Sequence, residues 1–259
     1  QALSGAMSVN GEADGPPTKL GLPMGDLAGA VWAVIGILSA IQHRQATGEA
    51  LTVDLSLLDG LVGLLGYLSE LYLLTGETPM RMGSAHHSVV PYGRYRAKDG
   101  HLVLALMVES FWVKFCNAIG RPDLAQDDRF ATPTARKENR QMLETIVVDV
   151  LSTRSTAEWQ ELFDAADIPC APVNTIAQAM QMPVLAERGM IRDVDHPTAG
   201  RLPVVGTPLR FLDRFRDTPI GPPPLLGEHT SEILTGLLQY GPERLDALRS
   251  AGAIAPQKV

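Results

Sequence analysis

Residues 21–29 read GLPMGDLAG, and residues 27–41 continue as the apolar run LAGAVWAVIGILSAI. The run predicts a long helix that begins beside Asp26 and ends near Arg44, because cations suit the last turn of a helix and Gly48 supplies a C-terminal stop. Asp26 stands where an N-cap is expected, so its carboxylate would accept hydrogen bonds from the first-turn N–H groups. On spacing alone, this capping role is the favoured interpretation.

The same position also suits a chemical role for Asp26. Gly25 before it, and Ala28 and Gly29 after it, leave room for a substrate to approach the backbone. The N–H groups of a helix N-terminus can stabilise an oxyanion. A carboxylate can act as a covalent nucleophile when an activated acyl group is presented to it. Both interpretations of Asp26 stay open on these grounds.

Composition narrows the class of protein. The chain has 259 residues, of which 45% are hydrophobic, enough for one large domain or two modest ones with a buried core. The net charge of -7 and the pI near 5.4 argue against a sequence-independent nucleic-acid binder. Two cysteines, Cys116 and Cys170, are too few for a disulfide framework, so we expect a reducing cytoplasm.

The apolar run also raises the question of a membrane. It has 15 residues and is followed by Gln42, His43 and Arg44, whereas a transmembrane helix needs about 20. We therefore expect a helix buried in a soluble core and no membrane partner. The sequence has no charged leader or cleavage pattern, so nothing points to secretion.

Beyond residue 50 the sequence predicts both strands and helices. Residues 51–55 are β-prone, and residues 57–74 predict an apolar helix whose Gly60, Gly63 and Gly66 favour close packing along one side. Residues 75–95 show no clear period and predict a long connection, of the kind that is usually functional or a linker. Further predictions are a turn at 98–100, strands at 101–107, 190–194 and 202–205, an extended segment at 168–174, and helices at 110–119, 137–151, 156–166, 231–238 and 242–251. This mixture indicates an α/β or α+β fold.

Several common sites are absent from the sequence: GxGxxG, GxxxxGK[ST], HExxH and GxSxG. Cys116 and Cys170 have no CxxC partner, which argues against zinc. Cys170 is interpreted as a small buried hydrophobe rather than a nucleophile. His86 and His87 could bind a metal or move protons, but without a carboxylate cluster nearby they are interpreted as loop residues. No metal site is predicted.

Seven stretches of the sequence together resemble the class III CoA-transferase family, which includes formyl-CoA, carnitine and bile-acid CoA-transferases and the α-methylacyl-CoA racemases. None is decisive alone, but their order and spacing are specific and they run nearly end to end. They are SGAMSVNGEADGPPTKLG (4–21), GDLAGAVWAVIGILSAIQHRQATGEA (25–50), VDLSLLDG (53–60), SVVPYGRYRAKDGHLVLAL (88–106), IPCAPVNT (168–175), GTPLRF (206–211) and PLLGEHTSEIL (224–234).

The resemblance implies that Asp26 is the family's catalytic aspartate, placed by its GD-x-x-G context with Gly25. Its carboxylate would attack an acyl-CoA thioester to give a mixed anhydride, and the released CoA thiolate would then form an aspartyl-CoA thioester. A carboxylic acid acceptor would replace the donor and finally receive the CoA. Coenzyme A would be a substrate carrier, and no cofactor would be bound permanently.

In transferases of this family, a glycine-rich loop of the smaller domain covers the intermediate. Gly83, Ser84, Ala85, His86 and His87 fall at that position here, with one glycine rather than a run. The resemblance therefore implies that this segment, and Gly83, Ser84, His86 and His87 in particular, lies against the substrate.

The resemblance also implies an architecture. Family members join a large nucleotide-binding-like (Rossmann-type) α/β domain to a smaller α+β domain, and two subunits interlock as a homodimer. On that template, residues 1–79 are a large-domain segment with the aspartate and linker helices. Residues 80–187 form the small domain, and residues 188–259 return to the large one.

Two other hypotheses stay open. The first is racemisation at the α-carbon of a branched acyl-CoA with Asp26 as acid and base; the histidine that the racemase branch uses falls upstream of Gln1. The second is a non-catalytic remnant, because the family region with most contacts to the CoA nucleotide also precedes the point that matches Gln1. We therefore expect this polypeptide alone to bind CoA poorly.

Overall fold

The computed structural model describes residues 1–212 and 220–254. The chain divides into two compact units, Gln1–Val173 and Asn174–Val259. Both helices and sheets occur, which confirms the predicted mixture. The two sheets of the described residues are antiparallel, with three and two strands. The family's Rossmann-type sheet and the domain boundaries after residues 79 and 187 stay predictions.

Helix α1 (Met24–Thr47) begins two residues before Asp26. Pro23 is its N-cap, no side chain caps it, and the Leu27 N–H already donates to the Pro23 carbonyl at 3.0 Å. Asp26 is therefore in the helical first turn and lacks the extended backbone that a cap requires. The capping interpretation of Asp26 is wrong. The predicted stop at Gly48 is confirmed, since Gly48 has a φ of 82° and donates its N–H to the Arg44 carbonyl.

The prediction that α1 is buried in a core is wrong for the described part of the chain. Only Ala28 and Gly29 are buried, and just 11% of an apolar 18-residue window of the helix is covered. At 24 residues, α1 is also longer than the apolar run, and by length and composition alone it is long and apolar enough to cross a membrane. A core helix of a soluble protein can have the same length and composition, so the absence of a membrane partner stays a prediction.

Helix α2 (Leu57–Leu64) packs on α1 at small residues. Trp32 of α1 donates its Nε1–H to the Gly60 carbonyl at 3.3 Å. A Cβ at Gly60 would lie 3.1 Å from Trp32 Cδ1, and one at Gly29 would collide with the Leu57 side chain. The predicted close packing is confirmed at Gly60, where an indole ring fills the space.

The single helix predicted over residues 57–74 is in fact two. Gly66, with a φ of 57°, separates α2 from α3 (Tyr67–Thr75), and the two helices meet at 81°. A positive φ is open to glycine at little cost, which explains the break. The strand predicted at residues 51–55 is wrong, because neither sheet extends to this segment and a β-prone segment needs a partner strand.

A three-stranded sheet is central to the part of the first unit that follows residue 91. Its strands, in the order β1 (Tyr92–Arg96), β2 (His101–Ala105) and β3 (Cys170–Pro172), are all antiparallel. The Ala97 N–H donates to the Gly100 carbonyl at 2.9 Å and closes the predicted turn. The predictions of a strand from residue 101 and an extended segment at 168–174 are confirmed. The sequence does not predict strand β1, because most of it lies within residues 75–95, which show no clear hydrophobic periodicity.

Helices complete this part of the unit. They are α4 (Glu109–Ala118), α5 (Pro133–Glu138), α6 (Arg140–Leu151) and α7 (Thr156–Ala165), with a 3-10 turn at Pro122–Ala125. One apolar cluster joins sheet and helices, and its fully buried members include Leu102, Leu104, Phe115, Phe130, Leu143, Val147 and Phe163. The predicted helices at 110–119 and 156–166 are confirmed. The helix predicted from residue 137 begins instead at Arg140, because α5 ends at Glu138 and Asn139 separates the two helices.

The second unit contains short elements. They are α8 (Ile176–Met180), α9 (Pro183–Glu187), β4 (Ile191–His196), β5 (Gly200–Val205), α10 (Thr230–Gly236) and α11 (Pro242–Ser250). The hairpin β4–β5 confirms the two strands predicted there. His196 organises its turn, because its Nδ1 accepts from the N–H groups of Thr198 at 3.2 Å and Ala199 at 3.1 Å. The two C-terminal helices are also confirmed.

Candidate functional site

Asp26 is exposed on the first turn of α1. Within residues 1–212 and 220–254, no hydrogen bond or ion pair engages its carboxylate. The amide N–H groups of Gly25 and Asp26 have no intrahelical acceptor, because the first-turn amides precede the first i to i−4 bond. A free carboxylate and free N–H groups thus share one helix end.

A cavity of about 570 Å³ lies beside Asp26. Residues from the chain start, the beginning of α1 and α2 line it: Gln1, Ala2, Leu3, Pro23, Gly25, Asp26, Leu57, Leu58 and Leu61. Asp26 is the only ionisable side chain among these lining residues. Mostly apolar walls with a few polar groups, here Asp26 and Gln1, are typical of small-molecule sites.

The electrostatics of α1 support the chemical interpretation of Asp26. The N-terminus of a helix carries a partial positive charge, which stabilises a nearby carboxylate by about 0.3–1 kcal/mol. The same N–H groups can donate to an oxygen that gains negative charge during acyl transfer. The helix end can therefore hold both a nucleophilic carboxylate and an oxyanion.

The loop of residues 83–87, called here the 83–87 loop, begins at a position that requires glycine. Gly83 has a φ of 61°, and a Cβ there would lie 2.7 Å from Glu12 Oε2. Its N–H donates to the Gly11 carbonyl at 2.9 Å. Ser84 lines a second cavity of about 200 Å³, which Tyr92, Tyr95 and other residues also line. The hydrogen bond from Gly83 to Gly11 fastens the loop to the N-terminal segment.

Four rings lie in a row along this loop, and of the three neighbouring pairs His86 and Tyr92 are stacked whereas the other two are tilted. Ring centroids are 5.4 Å apart for Tyr67 and His87, 4.5 Å for His87 and His86, and 5.1 Å for His86 and Tyr92. His86 is half-buried and His87 is exposed. Burial holds the pKa of His86 below its ordinary value, and the charges of His87 and Arg140 act in the same direction. The predicted loop character of both histidines is confirmed, since the segment has neither helix nor strand.

The predicted site residues fall into two groups. Asp26 and Gly25 line the larger cavity and Ser84 lines the smaller one, and no lining residue is common to both. Gly83, His86 and His87 line neither. Of these two cavities in the described part of the chain, neither is lined by both Asp26 and a residue of the 83–87 loop.

Sequence reasoning missed the residues that hold these segments in place. Arg81 donates to the carbonyls of Ser8 at 3.2 Å and Gly15 at 3.1 Å, and Arg140 donates to the His86 carbonyl at 2.7 Å. These partners are 54 to 73 residues apart in the chain. No local sequence pattern reports such pairs, and single arginines look like ordinary surface charges.

Cys116 and Cys170, and clusters of metal-binding side chains, are the other candidates for a reactive site. Burial raises the pKa of both Cys116 and Cys170 to about 12, so each stays a thiol at neutral pH. Within the described ranges 1–212 and 220–254, no group of three His, Cys, Asp or Glu side chains is arranged to hold a metal ion.

Comparison with known proteins identifies the family. The family model described as CoA-transferase family III matches residues 1–230. The chain belongs to this family. The resemblance drawn from the sequence is therefore confirmed.

Named relatives of this family III chain cover nearly all of it. A succinyl-CoA:mesaconate CoA-transferase of Haloarcula hispanica is 37% identical over 90% of the chain. A human succinyl-CoA:glutarate CoA-transferase is 31% identical over 98% of it. A crystal structure of a CAIB/BAIF family protein from Brucella suis matches with a TM-score of 0.77 and 30% identity over 92% of this chain and 61% of its own. The chain spans 58% of the length of the two curated relatives.

Proposed function

We propose that this chain carries the catalytic aspartate of a CoA-transferase that moves CoA between two carboxylic acids. The observation that carries the proposal is the position of Asp26, a free carboxylate on the first turn of α1 that lines a cavity with mostly apolar walls. The CoA-transferase names of the relatives support transfer over racemisation.

The proposed reaction has four acyl transfers at Asp26. The carboxylate attacks the donor thioester, the C–S bond breaks, and an aspartyl mixed anhydride and CoA thiolate result. The thiolate attacks the aspartyl carbonyl, which forms the aspartyl-CoA thioester and releases the donor acid as a carboxylate. The acceptor carboxylate attacks that thioester, and the returning thiolate takes the acceptor acyl group from the new anhydride. Each step exchanges one activated acyl bond for another.

The N–H groups at the start of α1 have a role in each step. Every attack converts a carbonyl into a tetrahedral oxyanion, and donors already aimed at that oxygen need no reorganisation. The main-chain amides of Gly25 and Asp26 are the donors closest in sequence to the reacting carboxyl. The leucines of α2 that line the cavity would limit water, which otherwise hydrolyses an anhydride or a thioester.

We further propose dicarboxylic acids as the substrate class. Succinate, mesaconate and glutarate, the acids in the names of the two curated relatives, each carry two carboxyl groups. In such a substrate one carboxyl reacts at Asp26. The other needs a hydrogen-bond donor or cation that is not part of the cavity wall, because Asp26 is the only ionisable side chain among the residues of that wall. An interlocked homodimer and a cytoplasmic location complete the proposal, on the basis of family resemblance and cysteine usage.

Trapping with hydroxylamine tests the proposed role of Asp26. The 259-residue chain is incubated with succinyl-CoA and glutarate, hydroxylamine is added, and the peptides are mapped by mass spectrometry. An activated aspartyl carbonyl reacts to a hydroxamate, so we expect the modification at Asp26 and its loss in Asp26→Asn. Modification elsewhere, or at Asp26 without acyl-CoA, contradicts the proposal.

Asp59→Asn is the matched control. Asp59 is an exposed aspartate in the first turn of α2, as Asp26 is in α1, and it does not line the cavity. The control should leave trapping at Asp26 unchanged. Deuterium incorporation at the α-carbon of a branched acyl-CoA, without a hydroxamate, would instead favour racemisation.

A further inference from the structure

The imidazole of His86 organises the end of the 83–87 loop. Its Nδ1 accepts hydrogen bonds from the main-chain N–H groups of Ser88 and Val89, each at 3.2 Å. The Ser88 hydroxyl lies 3.3 Å from the same nitrogen. Because two N–H groups point at Nδ1, that nitrogen must present a lone pair. The ring is therefore neutral, with its proton on Nε2.

Protonation of His86 is incompatible with this turn. A hydrogen on Nδ1 would face two N–H donors that cannot turn away without a change in the backbone. The turn must then open at Ser88 and Val89, or the imidazole must leave it. Either change moves the adjacent His87, whose ring centroid lies 4.5 Å from that of His86.

Every element packed around His86 disfavours or fails to offset a positive charge on it. His87 lies beside it in the loop, Arg140 of α6 donates to its carbonyl, and Tyr92 of β1 stacks on its ring. Arg140 also pairs with Glu144 at 3.1 Å, so that carboxylate is already engaged. Tyr67 of α3 reaches His86 only through His87.

The rest of the loop is held by bonds that do not titrate near neutral pH. The His86 N–H donates to the Tyr92 carbonyl at 3.2 Å, and the Gly83 N–H donates to the Gly11 carbonyl. Arg140 holds the His86 carbonyl. A change in the charge of His86 would therefore alter the Ser88–Val89 end and leave the Gly83 end in place.

We propose that His86 is a positioning residue, which holds the 83–87 loop and the exposed His87 in their observed shape only while its imidazole is neutral; the family resemblance implies that this loop lies against the substrate. This proposal rests on the proposed function for its effect on catalysis, but not for its effect on the loop. The folded-state pKa of His86 lies below 6.5, so the turn is stable above that pH and is lost as the pH falls through the folded-state value.

Amide NMR of the 259-residue chain tests the loop directly. We expect the Ser88 and Val89 amide signals to titrate together below pH 6.5 in the wild type. In His86→Asn, the side-chain oxygen replaces Nδ1 as acceptor and does not titrate, so the two signals should stay constant. In His86→Leu, both amides should lose protection from exchange at every pH.

His196→Asn is the matched control, because His196 holds a turn by the same Nδ1 arrangement in the second unit. This variant should leave the Ser88 and Val89 titration unchanged. The proposal is overturned if these signals do not titrate in the wild type, or if they titrate equally in His86→Asn.

The proposed effect of His86 on catalysis is tested by the pH profile of kcat/KM for acyl-CoA. Each pH unit below the pKa lowers the neutral fraction of His86 about tenfold, and kcat/KM should follow in the wild type but not in His86→Asn. An equal acid loss in both proteins contradicts the positioning role. Absence of the Asp26 hydroxamate contradicts the proposed function alone, because the amide titration does not depend on it.

Discussion

Two helical regions of the Gln1–Val173 unit differ in burial, and the more apolar region is the more exposed one. Helices α4, α6 and α7 bury their apolar faces against the sheet and each other. Helices α1 to α3 leave theirs in solvent, with exposed side chains that include Val31, Val34, Leu38, Leu73 and Leu74. An apolar pattern therefore identifies a face that needs a partner but does not say which part of the chain supplies one. Between residues 92 and 172, the helices pack on a sheet formed by the same segment. For α1, the packing partner among the described residues is mainly α2.

The largest contrast is expected from one substitution made in both regions. Leu143 of α6 is fully buried, whereas Leu38 of α1 is 60% exposed. Leu143→Ala should lower the free energy of unfolding by about 2–5 kcal/mol, because it leaves a cavity. Leu38→Ala should change it by less than about 0.5 kcal/mol. Urea denaturation of both variants measures the difference. A similar loss in both would show that α1 is covered in solution, and a dependence on protein concentration would assign the cover to self-association.

A smaller contrast is expected between two ion pairs. Arg136 is buried, donates to the carbonyls of Val90 and Phe130, and pairs with Glu109 at 2.7 Å. Arg136→Met should destabilise the protein by about 3 kcal/mol, because it leaves buried acceptors and a carboxylate without their donor.

The control for Arg136 is Arg201, which pairs with Asp193 on the exposed hairpin. Arg201→Met should destabilise the protein much less than Arg136→Met, because water screens an exposed pair. Thermal unfolding measures both variants. Equal losses would contradict the assignment of Arg136 as the link between α5, α4 and the chain before β1.

The smallest effect is expected at a helix start within the packed region. Ser155 and Glu158 form a capping box at α7, in which each side chain accepts from the backbone N–H of the other residue. Ser155→Ala should cost about 1 kcal/mol of unfolding free energy. Ser152→Ala, which removes an exposed hydroxyl near the end of α6, should have less than half that effect. A larger loss for Ser152→Ala would mean that the box contributes little.

The sequence predicts well where the physical cause is local. Gly48 ends α1 because a left-handed residue is cheap only for glycine, and the turn at residues 98–100 closes because its residues favour it. The hairpin β4–β5 and helix α7 were found for the same reason. The resemblance, which depends on the order of many short stretches, added the family and the candidate role of Asp26.

The sequence-based predictions are wrong where a distant contact or a single backbone angle determines the local structure. Gly66 was interpreted as a packing residue, but its positive φ splits the helix. Residues 51–55 are β-prone and lack a partner strand, whereas β1 has weak local signals and pairs with β2. Asp26 is predicted as the N-cap because proline is not a residue that typically caps a helix, although Pro23 is the N-cap of α1.

The contacts of Arg81 and Arg94 have a consequence for the order of folding. Arg81 reaches Ser8 across 73 residues, and Arg94 reaches Glu12 across 82, so together they close a large ring of chain that contains α1, α2 and α3. Closing such a ring costs entropy that nearby pairings do not, and topologies rich in distant contacts form slowly. We expect the strands and helices after residue 91 to assemble first, and the N-terminal segment to join them last.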